Sequence, residues 1–253
     1  MKLSLSNGVF YKHSLEENLT TIKRLGFENV EFNMKSVAEN DEDSVYVAKE
    51  LIDSLGLHCL TLHAATLHVK NESEIPKAIY YGRVSADFAS ILSAPVLVVH
   101  SNVSRRLPEN IRNKFLREIY GKLIPYAESL NLTPALENLS YASSGFGKNV
   151  AELEQVRHVI GGGGMGVTLD FCHAEATGQT LNLLEKYHNK LCNVHLSNRA
   201  HKPFTQETLT LRTFIKKLRE YGYNGPVTLE LSSKCTIGEI LKTKAVVEKI
   251  LSS

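Results

Sequence analysis

Short apolar runs recur along the whole chain, at residues 3–6, 29–33, 58–63, 95–100, 133–137, 166–170, 192–197 and 227–231. Each has strand length, and between them the apolar residues switch to a helical period. In "HSLEENLTTIKRLGF", Leu15, Leu19, Ile22 and Leu25 fall on one face, with Ser14 placed to cap the helix. "AIYYGRVSADFASIL", "PENIRNKFLREIYGKLIPYAESL", "LTLRTFIKKLREYGY" and "IGEILKTKAVVEKIL" repeat that pattern; Pro108 suits a first helical turn and Gly222 a helix stop. Eight strand-then-helix units in 253 residues predict an α/β protein, a (β/α)8 TIM barrel. An open doubly wound sheet competes, but no glycine-rich fingerprint follows the first strand. The "IGGGGMG" run at 160–166 precedes a strand, so it reads as a helix-to-strand turn and not as a phosphate loop. No linker or composition break interrupts residues 1–253, and one domain is expected.

The way these strands end carries the chemistry. Strand 3 ends at His63, strand 4 at His100, strand 5 at Glu137 and strand 6 at Asp170, while strand 7 contains His195 and strand 8 Glu230. The two-residue strand period puts Thr61 with His63, Thr168 with Asp170, Asn193 with His195 and Ser197, and Thr228 with Glu230, opposite the apolar positions. In a barrel the apolar face packs on the outer helices, so these polar termini converge on the C-terminal mouth, where active sites of this fold lie. Two glutamates, one aspartate and three histidines need charge compensation if buried together. A divalent cation supplies it, and the mixed oxygen and nitrogen donors suit Zn, Mn, Co or Mg. A single strand-end histidine is more often a structural residue; six such termini in one register are not.

Composition narrows the partners. The chain carries 29 basic against 27 acidic residues, a net charge of +2 that gives no global field toward nucleic acid or membrane. No apolar run reaches membrane-span length, and "MKLSLSNGVF" lacks a secretory core, so a cytoplasmic location is expected. Four dispersed cysteines without a CxxC pair fit a reducing compartment. Cys172 would face away from His173 if the strand register continued, and no base is identifiable beside it, so it reads as structural.

With these motifs in view, the chain resembles the xylose isomerase-like barrel superfamily, which includes sugar isomerases, ketose 3-epimerases, inosose dehydratases and endonuclease IV. "LHAATLH", "VVHSN", "LENLS", "LDFCHAEATG", "NVHLSN" and "TLELS" are similar to its motifs at strands 3 to 8. The resemblance implies a metal core of Glu137, Asp170, His195 and Glu230, with His173 beside it touching substrate or a further metal. It also implies that His63, His100 and His201 bind additional zinc if the chain is endonuclease IV-like. Arg199 stands where that enzyme has an aspartate two residues before the last histidine, and "HKPFTQET" replaces its Gly-Glu-Gly stretch. The third zinc set is therefore a ligand short.

Two mechanisms fit this scaffold. In the first, a sugar or hydroxy-ketone isomerase or epimerase, a divalent metal stabilises an enediolate. Glu137 and Glu230 move the proton, while His173, His63, His100 and Arg199 contact the substrate. In the second, a zinc phosphodiesterase cuts DNA at abasic sites through a bridging hydroxide. The near-neutral charge and the short loop "NMKSVAEN" argue against it, since DNA affinity rests on several Lys/Arg contacts. "SYASSGFGKN" offers only Lys148 and reads as an ordinary solvent loop. A non-catalytic metal- or sugar-binding barrel is the remaining possibility. The expected partner is a small sugar, or abasic DNA under the second mechanism, with no membrane contact.

Overall fold

The computed structural model describes residues 1–37, 41–65, 68–101, 103–161 and 163–252. Its eight strands are β1 (Lys2–Ser6), β2 (Asn29–Asn33), β3 (His58–His63), β4 (Val96–Val99), β5 (Thr133–Glu137), β6 (Gly166–Asp170), β7 (Leu191–Leu196) and β8 (Pro226–Leu229). All neighbours pair in parallel, and β1 closes the ring on β8 with Lys2 opposite Pro226 and Leu5 opposite Leu229. Closure removes both sheet edges and lets every strand present one face inward. This is the (β/α)8 TIM barrel that the strand and helix periods predict.

The helices follow from caps and apolar faces. Helix α1 (Leu15–Arg24) starts at a capping box: Ser14 Oγ accepts from Glu17 N at 3.2 Å, and Glu17 Oε2 accepts from Ser14 N at 3.3 Å. Such a cap contributes about 1 kcal/mol. Leu19, Ile22 and Leu25 are buried, as the helical period requires. Helices α2 (Ser44–Ser54), α3 (Ile75–Ile91), α4 (Glu109–Ser129) and α5 (Val150–Val159) cover the next strands. Pro108 is the cap of α4, one position earlier than expected; its missing N–H costs nothing there. After them come α6 (Phe171–Thr177), α7 (Thr180–Tyr187), α8 (Leu209–Glu220) and α9 (Ile237–Ser252). Gly222 follows α8 with φ +71°, the left-handed stop expected of it. Among the described residues, no helix is long and apolar enough to cross a membrane.

The barrel sorts its side chains by parity. Outward positions such as Leu62, Leu97, Leu136, Leu169, Val194 and Leu229 join one large apolar core beneath the helices. Inward positions are polar on most strands: Ser4, Ser6, Glu31, Asn33, Thr61, Thr168, Asn193 and Thr228 are all buried. Val96, Val98 and Ala135 form a small separate apolar cluster on β4 and β5. The interior is thus a packed, largely polar column that ends in the titratable groups at the mouth.

Candidate metal centre

The strand ends deliver the six residues to one place, with two refinements. His63, Glu137 and Asp170 are the last residues of β3, β5 and β6, and His195 is next to last in β7. His100 and Glu230 lie one residue beyond the hydrogen-bonded ends of β4 and β8. Inward parity continues into both, so they still face the axis. Glu137, Asp170 and His195 are fully buried, whereas the side chains of His100, Glu230 and His201 are 18, 17 and 31% exposed. The open side of the cluster therefore lies at His100, Glu230 and His201.

Among the described residues, three overlapping groups could hold a metal ion: Glu137, Asp170, His195 and Glu230; His63, His100 and Glu137; and Asp170, His173 and His201. Within each group the candidate atoms lie within 4.8 Å of one another. His195 Nδ1 sits 3.4 Å from Glu230 Oε2, 3.5 Å from Glu137 Oε2 and 3.9 Å from Asp170 Oδ2. Glu137 Oε1, Asp170 Oδ2, His195 Nδ1 and Glu230 Oε2 are all buried without a hydrogen-bond partner. Leaving four ionisable groups so arranged is costly unless a cation binds them, and the chemistry of this donor set fits one.

The surrounding histidines are held differently. His63 Nδ1 meets Ala64 O at 3.0 Å, and His100 Nε2 meets Glu137 Oε2 at 3.0 Å. His173 Nδ1 faces Asn138 O at 2.9 Å, while its Nε2 lies 3.1 Å from His201 Nε2. The field here is strongly negative. Burial works against a charged His173, yet Asp170 and Glu137 hold its pKa up to about 10. His195, similarly opposed by burial, is raised well above its usual range by Glu31 and Glu137. Burial would lift the Glu137 carboxyl, but His100 and His195 hold it well below the usual range. Glu230 is likewise opposed by burial and lowered by His195. Asp170 goes the other way, pushed to about 6 by burial together with the charges of Glu137 and Glu230, against the pull of His173.

Several expectations need correction. The strand register does not continue past Asp170, because Asp170 caps α6 and accepts from His173 N at 2.6 Å. The helical turn buries both Cys172 and His173, and Gly178 ends this short helix in the left-handed conformation, φ +65°. Lys148 is no solvent-loop residue: it is buried, with its ammonium donating to Tyr141 O. Arg199 is exposed, and its backbone N donates to Asn198 Oδ1 at 2.8 Å. The motif residues Thr66, Leu67 and Asn102 lie outside the described residues, as do residues 38–40 of "NMKSVAEN".

His201 reaches the cluster through an unusual turn. Ala200 and His201 have φ of 60° and 54°, and Asn198 bridges to Lys202 across them. Two successive non-glycine residues in this region cost about 1 kcal/mol each, strain of the kind found at functional sites.

Two residues of the site were not expected. Glu31, in the middle of β2, is fully buried; its Oε2 accepts from His195 Nε2 at 2.8 Å, Thr61 Oγ1 at 2.8 Å and Asn193 Nδ2 at 3.2 Å. It fixes the ring so that Nδ1 points at the other carboxylates, as outer carboxylates do for histidine ligands. The signal was present: in "NVEFN" a carboxylate shares the inward face with Asn29 and Asn33. Asn138, just after β5, accepts from Asp170 N at 2.7 Å and donates to Asp170 O at 3.0 Å, tying the two strand ends together.

Comparison with known proteins agrees with this architecture. The chain is 22% identical to the uncharacterized protein MJ1311 of Methanocaldococcus jannaschii, covering 99% of this chain and 89% of that protein. Over 83 residues, 32% of this chain and 28% of the other, it is 36% identical to a probable endonuclease 4 of Aquifex aeolicus. Among solved structures, the 3-keto-D-glucoside 4-epimerase of E. coli superposes over the whole of both chains, with a TM-score of 0.82 and 17% identity. An AP endonuclease, family 2, from Brucella melitensis covers 99% of this chain and 98% of its own, at 0.76 and 16%. At such identities the structural likeness speaks for the fold alone. The description xylose isomerase-like TIM barrel matches residues 19–250, nearly the full circuit of strands and the mouth they build, and the chain belongs to that family.

Proposed function

We propose that the protein is a divalent-cation-dependent isomerase or epimerase of a sugar or sugar-like hydroxy-ketone. One observation carries this reading: the unpartnered buried atoms of the cluster belong to Glu137, Asp170, His195 and Glu230, whereas the outer histidines are engaged by protein atoms. That pattern supports one resident cation among four ligands, ringed by polar groups available to sugar hydroxyls. Zinc or manganese suits the donor set, with cobalt or magnesium as variants. When bound, the cation supplies Lewis-acid polarisation of the neighbouring carbonyl and hydroxyl oxygens of the substrate.

The remaining chemistry falls to the side chains. Glu230, the more open carboxylate, removes a proton from the carbon next to the carbonyl. Glu137, reaching from a strand three places round the ring, delivers one to the opposite face or to the adjacent carbon. One proton leaves and one arrives, and the two carboxyls then re-equilibrate with solvent. His173, anchored at Nδ1, exchanges its Nε2 contact with His201, 3.1 Å away, for a substrate hydroxyl; His63 and His100 line the same opening. The test is proton exchange in D2O, read by NMR across a panel of ketoses with added Mn2+ or Co2+. Glu230→Gln abolishes the exchange, and exchange at undiminished rate in that variant refutes the two-glutamate mechanism.

A second reading rests on the two further donor groups and the partial match to a probable endonuclease 4. A phosphodiesterase would use Glu137, shared by two of the three groups, to join two ions. Asp170 would serve the His173–His201 pair where Arg199 cannot. Cleavage of an abasic-site duplex by the zinc-loaded protein is the direct test of that reading.

A further inference from the structure

Next to the open side of the cluster lies a cavity of about 520 Å3, within the range of small-ligand sites. Glu230 and His201 form its inner wall, and Tyr11, Lys35, Ser232 and Ser233 complete it. Its charge differs from that of the cluster. Lys35 lines it, and Lys12, Arg199, Lys202 and Lys234 each adjoin a lining residue in sequence, with Glu230 the only carboxylate in those same positions. This is a local concentration of positive charge on a chain whose net charge is +2. Elsewhere surface lysines are neutralised, as in Lys49–Asp53, Lys114–Glu72 and Lys217–Glu220. Among the described residues, none of these five cations forms an ion pair with a carboxylate.

The wall also holds neutral donors at defined places. Ser232 N donates to His201 O at 2.8 Å, which locks the segment after β8 onto the strained turn that carries His201. Lys35 follows Asn33, whose Oδ1 accepts from Lys35 N at 3.0 Å and so fixes the backbone from which the ammonium projects. Tyr11, Ser232 and Ser233 thus line the same cavity as Lys35, beside the proposed reaction centre.

We propose that this cavity seats a phosphomonoester, so that the substrate is a phosphorylated sugar whose phosphate rests on Lys35, Ser232 and Ser233 while its carbonyl end reaches Glu230. This deepens the isomerase reading and rests on it. An ammonium and hydroxyl donors match a compact dianion, and a remote contact made equally in ground and transition states lowers KM. Lys35 lines the cavity itself, where a single compact anion can reach it.

Two measurements test the proposal separately from the reading beneath it. The first is calorimetric titration of the cation-loaded protein with inorganic phosphate, in the native chain and in Lys35→Gln and Lys35→Glu. The expected result is saturable binding weakened about tenfold by the first change and abolished by the second. Phosphate that binds equally well in all three, or not at all, overturns the subsite. The second is deuterium exchange into ketose phosphates and the matching free ketoses. Exchange confined to the phosphates, with KM raised about tenfold and kcat within twofold in Lys35→Gln, supports the subsite. Equal exchange in free sugars overturns it while leaving the isomerase reading in place. Exchange in neither class, with Lys35-dependent phosphate binding intact, refutes the isomerase reading and keeps an anion site.

Discussion

The inner four residues and the outer histidines occupy one barrel mouth, yet the fold treats them differently. Glu137, Asp170, His195 and Glu230 each bring an unpartnered atom to one place, and Glu31 holds the His195 ring and Asn138 the Asp170 backbone from behind. His63, His100 and His173 are bound to the carbonyl of Ala64, the carboxylate of Glu137 and the carbonyl of Asn138. The first set leaves its converging atoms unsatisfied and could hold a metal ion. The second set is already satisfied, wholly or in part, by protein atoms. Having a donor near a site is therefore different from having one reserved for it.

The sharpest way to break this contrast is to remove one member of the inner set. Glu230→Gln is expected to lower turnover about 100- to 10,000-fold, the range of a lost general acid–base group, measured by steady-state proton exchange. Glu31→Gln tests the support behind the inner set. It leaves every donor in place but frees the His195 ring, and cation affinity should fall about 10- to 100-fold by competition with a chelating dye. On the outer set, His100→Gln should cost about tenfold in cation affinity through the loosened Glu137 carboxylate, without changing the number of ions bound.

The smallest effect concerns pH. The folded His173 is raised from 6.5 to about 10, so its stabilising contribution is complete below pH 6.5 and disappears as pH rises through 10. Asp170 is raised from 3.8 to about 6; its folded form favours the proton, and that contribution is complete below pH 3.8 and gone above 6. The cation-stripped protein should therefore lose thermal stability in two steps, across pH 4–6 and pH 6.5–10. A bound cation should flatten both steps, since it replaces the protons. Thermal melts with and without Mn2+ check this.

Much of the inner set was legible from strand parity alone. Thr168 and Asp170, Asn193 and His195, or Thr228 and Glu230 share a face because side chains alternate, and that rule survives any detail of packing. Where the alternation stopped, so did the foresight. Asp170 is both a strand end and a helix cap, so the residues after it are buried together, which no two-residue period predicts. Glu31 hid in the middle of a strand and not at its tip. Its role appears only when the ring closes and brings β2 within reach of His195, which is 164 residues away in the chain. His201 depends on two left-handed residues without glycine, a conformation that sequence preferences argue against. The charge around Lys35 was invisible in a net charge of +2, because it is assembled from four separate segments.

The number of ions the mouth holds separates the one-cation isomerase from the multi-zinc phosphodiesterase. Native mass spectrometry of the protein loaded with zinc and dialysed free of excess counts them directly. One tightly held ion per chain, lost in Asp170→Asn and retained in His63→Gln/His100→Gln, is the result expected. Two or three ions per chain, with one lost when His63 and His100 are replaced, would contradict it and give the site to the phosphodiesterase.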